Sequence, residues 1–130
     1  MNNRETESEE DYKKKLSEKE YKVLREAGTE RPGTGEYLKK DDDGFYHCKA
    51  CGQQIFTSET KFNGDHGWPS FYDAIEGSVE FRKDTSHGMS RTEVVCSKCE
   101  SHLGHVFDDG PEPTGKRFCI NSVALNFEEK

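Results

Sequence analysis

Apolar residues are sparse along this 130-residue chain, and their spacing changes character near Gly44. Residues 1–16 form a mixed charge run in which Tyr12 and Leu16 are the only large apolar groups besides Met1. That pattern predicts a frayed or solvated helix standing apart from the domain proper. At Ser17-Glu18-Lys19-Glu20 the residues fit a capping box, in which hydroxyl and carboxylate satisfy the first orphan amides of a helix. Tyr21 and Leu24 can share an inward face and Gly28 can end the element, which predicts a short helix over 18–27. Glu30-Arg31-Pro32-Gly33-Thr34-Gly35 then holds too many breakers for regular structure and leads into the body of a single domain, 17–130.

From Gly44 onward, short apolar runs alternate with turn residues. Phe45-Tyr46-His47, Gln54-Ile55-Phe56, the alternating Val79-x-Phe81, Met89 to Val95, His105-Val106-Phe107 and Phe118 to Leu125 each read as one strand. Strands at this spacing, with Gly, Asp and Pro between them, predict a mainly β domain, an antiparallel barrel or sandwich rather than βαβ units.

Five cysteines change the picture. Four form two identical knuckles, Cys48-x-x-Cys51 and Cys96-x-x-Cys99. Two thiolates on each of two tight turns complete the tetrahedral shell that one zinc ion prefers. Two disulfides or redox-active CxxC pairs are the other readings of the same spacing. The first 30 residues contain no apolar run of the kind a secretory leader needs, which favours a reducing cytoplasm and hence metal. Forty-four residues separate Cys51 from Cys96, well beyond the gap of about 15–20 in a compact zinc ribbon. The ion is therefore expected to clamp two distant hairpins at one end of the sheet. Four thiolates leave no open position for water, which argues against metal-assisted hydrolysis and leaves His102 and His105 outside the shell.

Composition sharpens the need for that clamp. Only 30% of residues are hydrophobic and 35% are charged, so the core is modest. Structural zinc contributes folding free energy on the order of 10 kcal/mol in small peptides. The net charge of −7 argues against nucleic acid, whose phosphates require a basic face. No apolar run of about 18 residues is present to span a membrane.

Cys119 is left over. A free cysteine is often a small core filler. In Arg117-Phe118-Cys119-Ile120-Asn121, however, period two sends Arg117, Cys119 and Asn121 to one face and Phe118 and Ile120 to the other. A guanidinium beside a thiol favours the thiolate, the reactive form. The nearby pair His102 and His105 can bring two imidazoles to one place, either for proton transfer or simply as hydrogen-bonded barrel residues.

Gly67-Trp68-Pro69-Ser70-Phe71, the two knuckles, the run from Ser101 to Pro111 and Arg117 to Ser122 resemble peptide methionine-R-sulfoxide reductases of the B type. The likeness extends over 21–125, with Val23-Leu24-Arg25 and Gly28-Thr29-Glu30 near its start. It implies two antiparallel sheets in a barrel-like arrangement with short N-terminal helices and a structural zinc distal to the active site. By resemblance, Cys119 is the thiol that attacks the sulfoxide. His102, His105, Asp109, Arg117 and Asn121 surround it, and Trp68 and Phe71 complete the substrate site with the two imidazoles. From the residues alone, Trp68 could equally be a core anchor and Asp109 a turn residue of Asp-Gly-Pro.

The reaction implied is reduction of methionine-R-sulfoxide, in oxidised proteins or as the free amino acid, to methionine, leaving a sulfenic acid on Cys119. Many relatives carry a resolving cysteine before Gly-Trp-Pro, but here Phe62-Asn63-Gly64-Asp65-His66 has none. An external thiol, thioredoxin by resemblance or else glutaredoxin or a small thiol, is therefore the expected reductant of a monomeric enzyme. Two milder departures are Gly33 where relatives place an aromatic residue and Phe118 where many have tyrosine. A non-catalytic zinc interaction module and a rubredoxin-type iron carrier are the competing classes. Both leave Arg117-x-Cys119-x-Asn121 without a purpose.

Overall fold

The computed structural model describes residues 9–29, 33, 35, 37, 42–62, 67–85, 88 and 90–129. Two helices open it, α1 (Glu9–Lys15) and α2 (Glu18–Glu26). The capping box forms as expected: the Glu20 amide donates to Ser17 Oγ at 3.1 Å and the Ser17 amide to Glu20 Oε1 at 2.9 Å. Ala27, at φ 55°, takes the left-handed closing position expected of Gly28. Gly28 follows it with an amide donated to the Lys22 carbonyl at 2.9 Å.

The expected division at Leu16 is not where the fold divides. Tyr12 and Leu16 are buried in the same core as Val23 and Leu24, and the Arg25 guanidinium lies 4.3 Å over the Tyr12 ring. Two apolar groups in a charge run suffice, because Leu16, just past the end of α1, is held one turn from Tyr12 by donating its amide to the Tyr12 carbonyl at 2.9 Å, and both reach the core on one side.

Among the described residues, nine strands build two antiparallel sheets. The small sheet has the order β2-β1-β9, from β1 (Gly44–Cys48), β2 (Gln54–Thr57) and β9 (Leu125–Glu129). In the large sheet, β3 (Lys61–Phe62), β4 (Ser70–Phe71), β5 (Val79–Asp84), β6 (Arg91–Cys96), β7 (His102–Phe107) and β8 (Arg117–Ile120) lie in the order β3-β4-β8-β7-β6-β5. Aromatic rings fill the space between them. Phe56 of the small sheet stacks on Phe71 of the large one at 4.2 Å, and Tyr46 meets Phe71 edge-on at 5.1 Å.

Three expectations require correction. The stretch from Phe118 to Leu125 is two strands in different sheets, joined by a 3-10 turn over Ser122–Ala124 in which the Ala124 amide donates to the Asn121 carbonyl. The polar pair Asn121-Ser122 marks the break, and the apolar residues on either side of it, Phe118, Ile120, Ala124 and Leu125, are buried in the one core. Strand β7 begins at His102, three residues before the strand expected at His105. The alternation in Val79-x-Phe81, which reads as a strand with one buried face, is weaker in the fold: Val79 is partly buried but Phe81 is 52% exposed, because β5 is the last strand of the large sheet and the Phe81 ring lies 6.1 Å from that of Phe118. Met89 and residues 63–66 lie outside the described residues.

The knuckles join the two sheets. Cys48 ends β1 and Cys51 sits in the turn to β2, while Cys96 ends β6 and Cys99 sits in the turn to β7. The four sulfurs lie within 4.8 Å of one another, with Cys48–Cys99 at 3.7 Å and Cys51–Cys96 at 3.5 Å. A tetrahedral zinc with bonds of about 2.3 Å separates its sulfurs by about 3.8 Å, so the cluster fits one ion. These distances are far from the roughly 2.05 Å of a disulfide.

As bare thiols the four compete for protons. Contact with Cys51 foremost pushes the Cys48 thiol up, whereas contact with Cys48 draws Cys51 down to about 7. A divalent cation resolves that conflict by holding all four as thiolates. Arg25 ties α2 to the second knuckle by donating to the Cys99 carbonyl at 2.7 Å and to Ser101 Oγ at 3.0 Å.

Removing the ion is expected to unfold the domain, because the clamp supplies free energy on the order of 10 kcal/mol. Cys96→Ser should bind substoichiometric zinc and show no cooperative melt at 37 °C by circular dichroism. A Cys96→Ser protein that melts as sharply as the parent would refute the clamp.

Candidate active site

Register determines what surrounds Cys119. On one side β8 pairs with β4, setting Ser70 opposite Cys119 and Phe71 opposite Phe118. On the other it pairs with β7, setting His105 opposite Cys119, Phe107 opposite Arg117 and Gly104 opposite Ile120. The expected alternation holds: Phe118 and Ile120 are buried inward, and Cys119 opens with Arg117 into a cavity of about 240 Å³ on the other face. Gly104 permits the close pairing, since a Cβ there would lie 2.1 Å from the Cys119 carbonyl oxygen.

Three of the remaining predicted residues line the same cavity: Trp68, His105 and Asn121. Asn121 is held in place by donation from its side-chain Nδ2 and its backbone amide to the Leu103 carbonyl, each at 3.0 Å. The loop carrying Trp68 is fastened by the Gly33 amide, which donates to the Gly67 carbonyl at 2.7 Å.

The imidazoles do come together, with ring centroids 5.4 Å apart and edge to face. Each is held by a carboxylate. His102 Nδ1 lies 2.7 Å from Glu93 Oε2 and His105 Nε2 lies 2.7 Å from Asp84 Oδ2. An ionised carboxylate can only accept, so both of these ring nitrogens carry the hydrogen. His102 is 5% exposed and is not part of the cavity wall. Burial pushes its pKa below the ordinary histidine value, and the bond to Glu93 partly opposes that.

Arg117 was expected as a cation beside the thiol, and it arrives already paired. Its guanidinium forks onto Asp109, Nε to Oδ1 at 2.8 Å and Nη2 to Oδ2 at 3.2 Å, and stacks 4.5 Å over the Phe107 ring. Asp109 is thus more than a turn residue, since it orients the arginine at the rim. Phe71 is the misplaced residue. It is wholly buried against Phe56, on the core face with Phe118, and takes no part in the cavity.

Sequence reasoning missed Asp84, Glu93 and Arg91, as well as the wall residues Thr29 and Phe107. Period two already places Arg91 and Glu93 on one face of a strand. Which histidine each carboxylate meets depends on pairing between β5, β6 and β7, which no local pattern contains.

The SelR domain family model matches residues 16–129. A protein of Methanosarcina barkeri named peptide methionine sulfoxide reductase MsrB is 58% identical over 93% of this chain and 86% of its own length. One of the same name from Leptospira interrogans is 52% identical over the whole of both chains. Among solved structures, the Mis18 'Yippee-like' domain matches 68% of this chain and 98% of its own, at a TM-score of 0.53 and 19% identity, which is a likeness of fold alone. A family model matching nearly the full length and relatives above 50% identity lead to one conclusion: the chain belongs to the SelR domain family.

Proposed function

We propose that this protein reduces the R epimer of methionine sulfoxide to methionine, with Cys119 as the acceptor of oxygen. The observation that carries the proposal is the placement of Cys119 in a small cavity, opposite His105 and beside Trp68, while the other four cysteines stand together at the clamp. The Cys119 thiolate attacks the sulfoxide sulfur, the S–O bond breaks, and one proton accompanies the oxygen. Thiolate, sulfoxide and proton thereby become sulfenic acid and thioether.

An imidazole on the cavity wall suits proton delivery near neutral pH. The Asn121 amide and the Arg117–Asp109 pair position the polar end of the substrate. The S-methyl group rests against the Trp68 ring, a contact of roughly 0.3–1.5 kcal/mol.

Regeneration runs through an external thiol. Residues 62–66 contain no cysteine, and the knuckle sulfurs are held by the clamp. A first donor thiol converts the sulfenic acid to a mixed disulfide with loss of water, and a second thiol releases Cys119. Thioredoxin, a dithiol, supplies both steps. The proposal places the enzyme in the cytoplasm as a monomer, acting on oxidised proteins and on the free amino acid.

Cys119→Ser is expected to lose turnover entirely while keeping its melting temperature within about 1 °C. A sulfenic-acid reagent should label the parent after the R epimer and not after the S epimer; equal labelling by both would overturn the assignment. Trp68→Ala should lower kcat/KM by up to about tenfold, the kinetic equivalent of the lost sulfur–ring contact.

His102 gives a pH signature. Its folded pKa lies below the unfolded value, so just under pH 6.5 the unfolded chain binds a proton that the folded chain refuses. Stability therefore rises with pH through that window. Urea midpoints at pH 5.5 and 7.5 should differ less in His102→Asn than in the parent, and an unchanged difference would contradict the burial effect.

A further inference from the structure

Asp84 stands on β5, two strands away from His105 on β7, yet its Oδ2 lies 2.7 Å from His105 Nε2. The same oxygen lies 3.2 Å from Arg91 Nη2. Arg91 faces Asp84 directly in the β5–β6 register and forms part of the cavity wall. The carboxylate is thus shared between a cavity cation and the imidazole paired with Cys119. Among the described residues it is the only carboxylate placed on Arg91 by a hydrogen bond or ion pair.

Resting on the reading that Cys119 reduces a sulfoxide, we propose that Asp84 is a positioning residue of the reaction, acting through His105. By accepting from Nε2–H, Asp84 orients the ring and leaves Nδ1 as the nitrogen that takes up the proton passed to the departing oxygen. As in a catalytic triad, the carboxylate holds the imidazole in one tautomer and offsets the positive charge that develops on it during proton transfer. Arg91 holds Asp84 in that role and keeps its charge from drifting toward solvent.

The other groups facing His105 are Glu93 on β6, His102 on β7 and Cys119 on β8, and the cations Arg91 and Arg117 line the same cavity. Glu93 is engaged by His102 and Arg117 by Asp109, so Asp84 is the partner His105 keeps.

The test compares the zinc-loaded parent with Asp84→Asn and Asp84→Glu on the R epimer, reading kcat, KM, the pH profile and the melting temperature. Asn retains the shape and an accepting oxygen but no charge. Asp84→Asn is expected to lower kcat by about 10- to 100-fold, with KM within about twofold, and to move the alkaline limb of the profile to lower pH. Asp84→Glu should restore the position of that limb.

A limb that does not move in Asp84→Asn, whether or not kcat falls, overturns the proposal. Should Asp84→Asn not fold, nitrogen chemical shifts of His105 in the parent decide instead. A neutral ring protonated at Nε2 supports the assignment, and one protonated at Nδ1 overturns it. Failure of the R epimer to label Cys119 in the parent would be a different result, against the reduction itself.

Discussion

Two hairpins from different sheets meet at four sulfurs, and the geometry of everything else follows from that junction. A chain with 30% hydrophobic residues has little apolar surface with which to hold two sheets face to face. The first knuckle closes the β1–β2 hairpin of the small sheet and the second closes the β6–β7 hairpin of the large one. One cation shared between them replaces a larger core. The Arg25 side chain extends the junction into the helices, so that α1 and α2 are fastened to the same turn that starts β7.

Strand β7 begins immediately after that turn, and its first residue is His102. The clamp therefore sets the starting point of the strand that carries both imidazoles. From there the register with β8 brings His105 to Cys119, and Gly104 allows the two backbones their close approach. Metal and thiol are chemically separate but mechanically consecutive.

Strand β8 shows how one short segment serves two purposes. Its inward residues, Phe118 and Ile120, join Phe56, Phe71 and Tyr46 in the aromatic core, while its outward residues, Arg117 and Cys119, belong to the cavity. Burial of the inward pair is what makes the outward pair rigid. The two carboxylates behind the imidazoles extend the same logic one and two strands further along the sheet.

The chain alone carried the local facts. Cysteine spacing marked each knuckle, Ser17 to Glu20 marked the helix start, and the alternation about Cys119 separated core from cavity, because each depends on residues within a few positions of one another. Tertiary structure decided the rest. Phe71 proved to be core rather than substrate wall, the run from Phe118 to Leu125 changed sheets midway, and Asp84 and Glu93 acquired histidine partners 21 and 9 residues away. Those outcomes depend on which strands lie side by side and in what register. Pairing of distant strands is set by the packing of the whole sheet, not by the periodicity of any one strand.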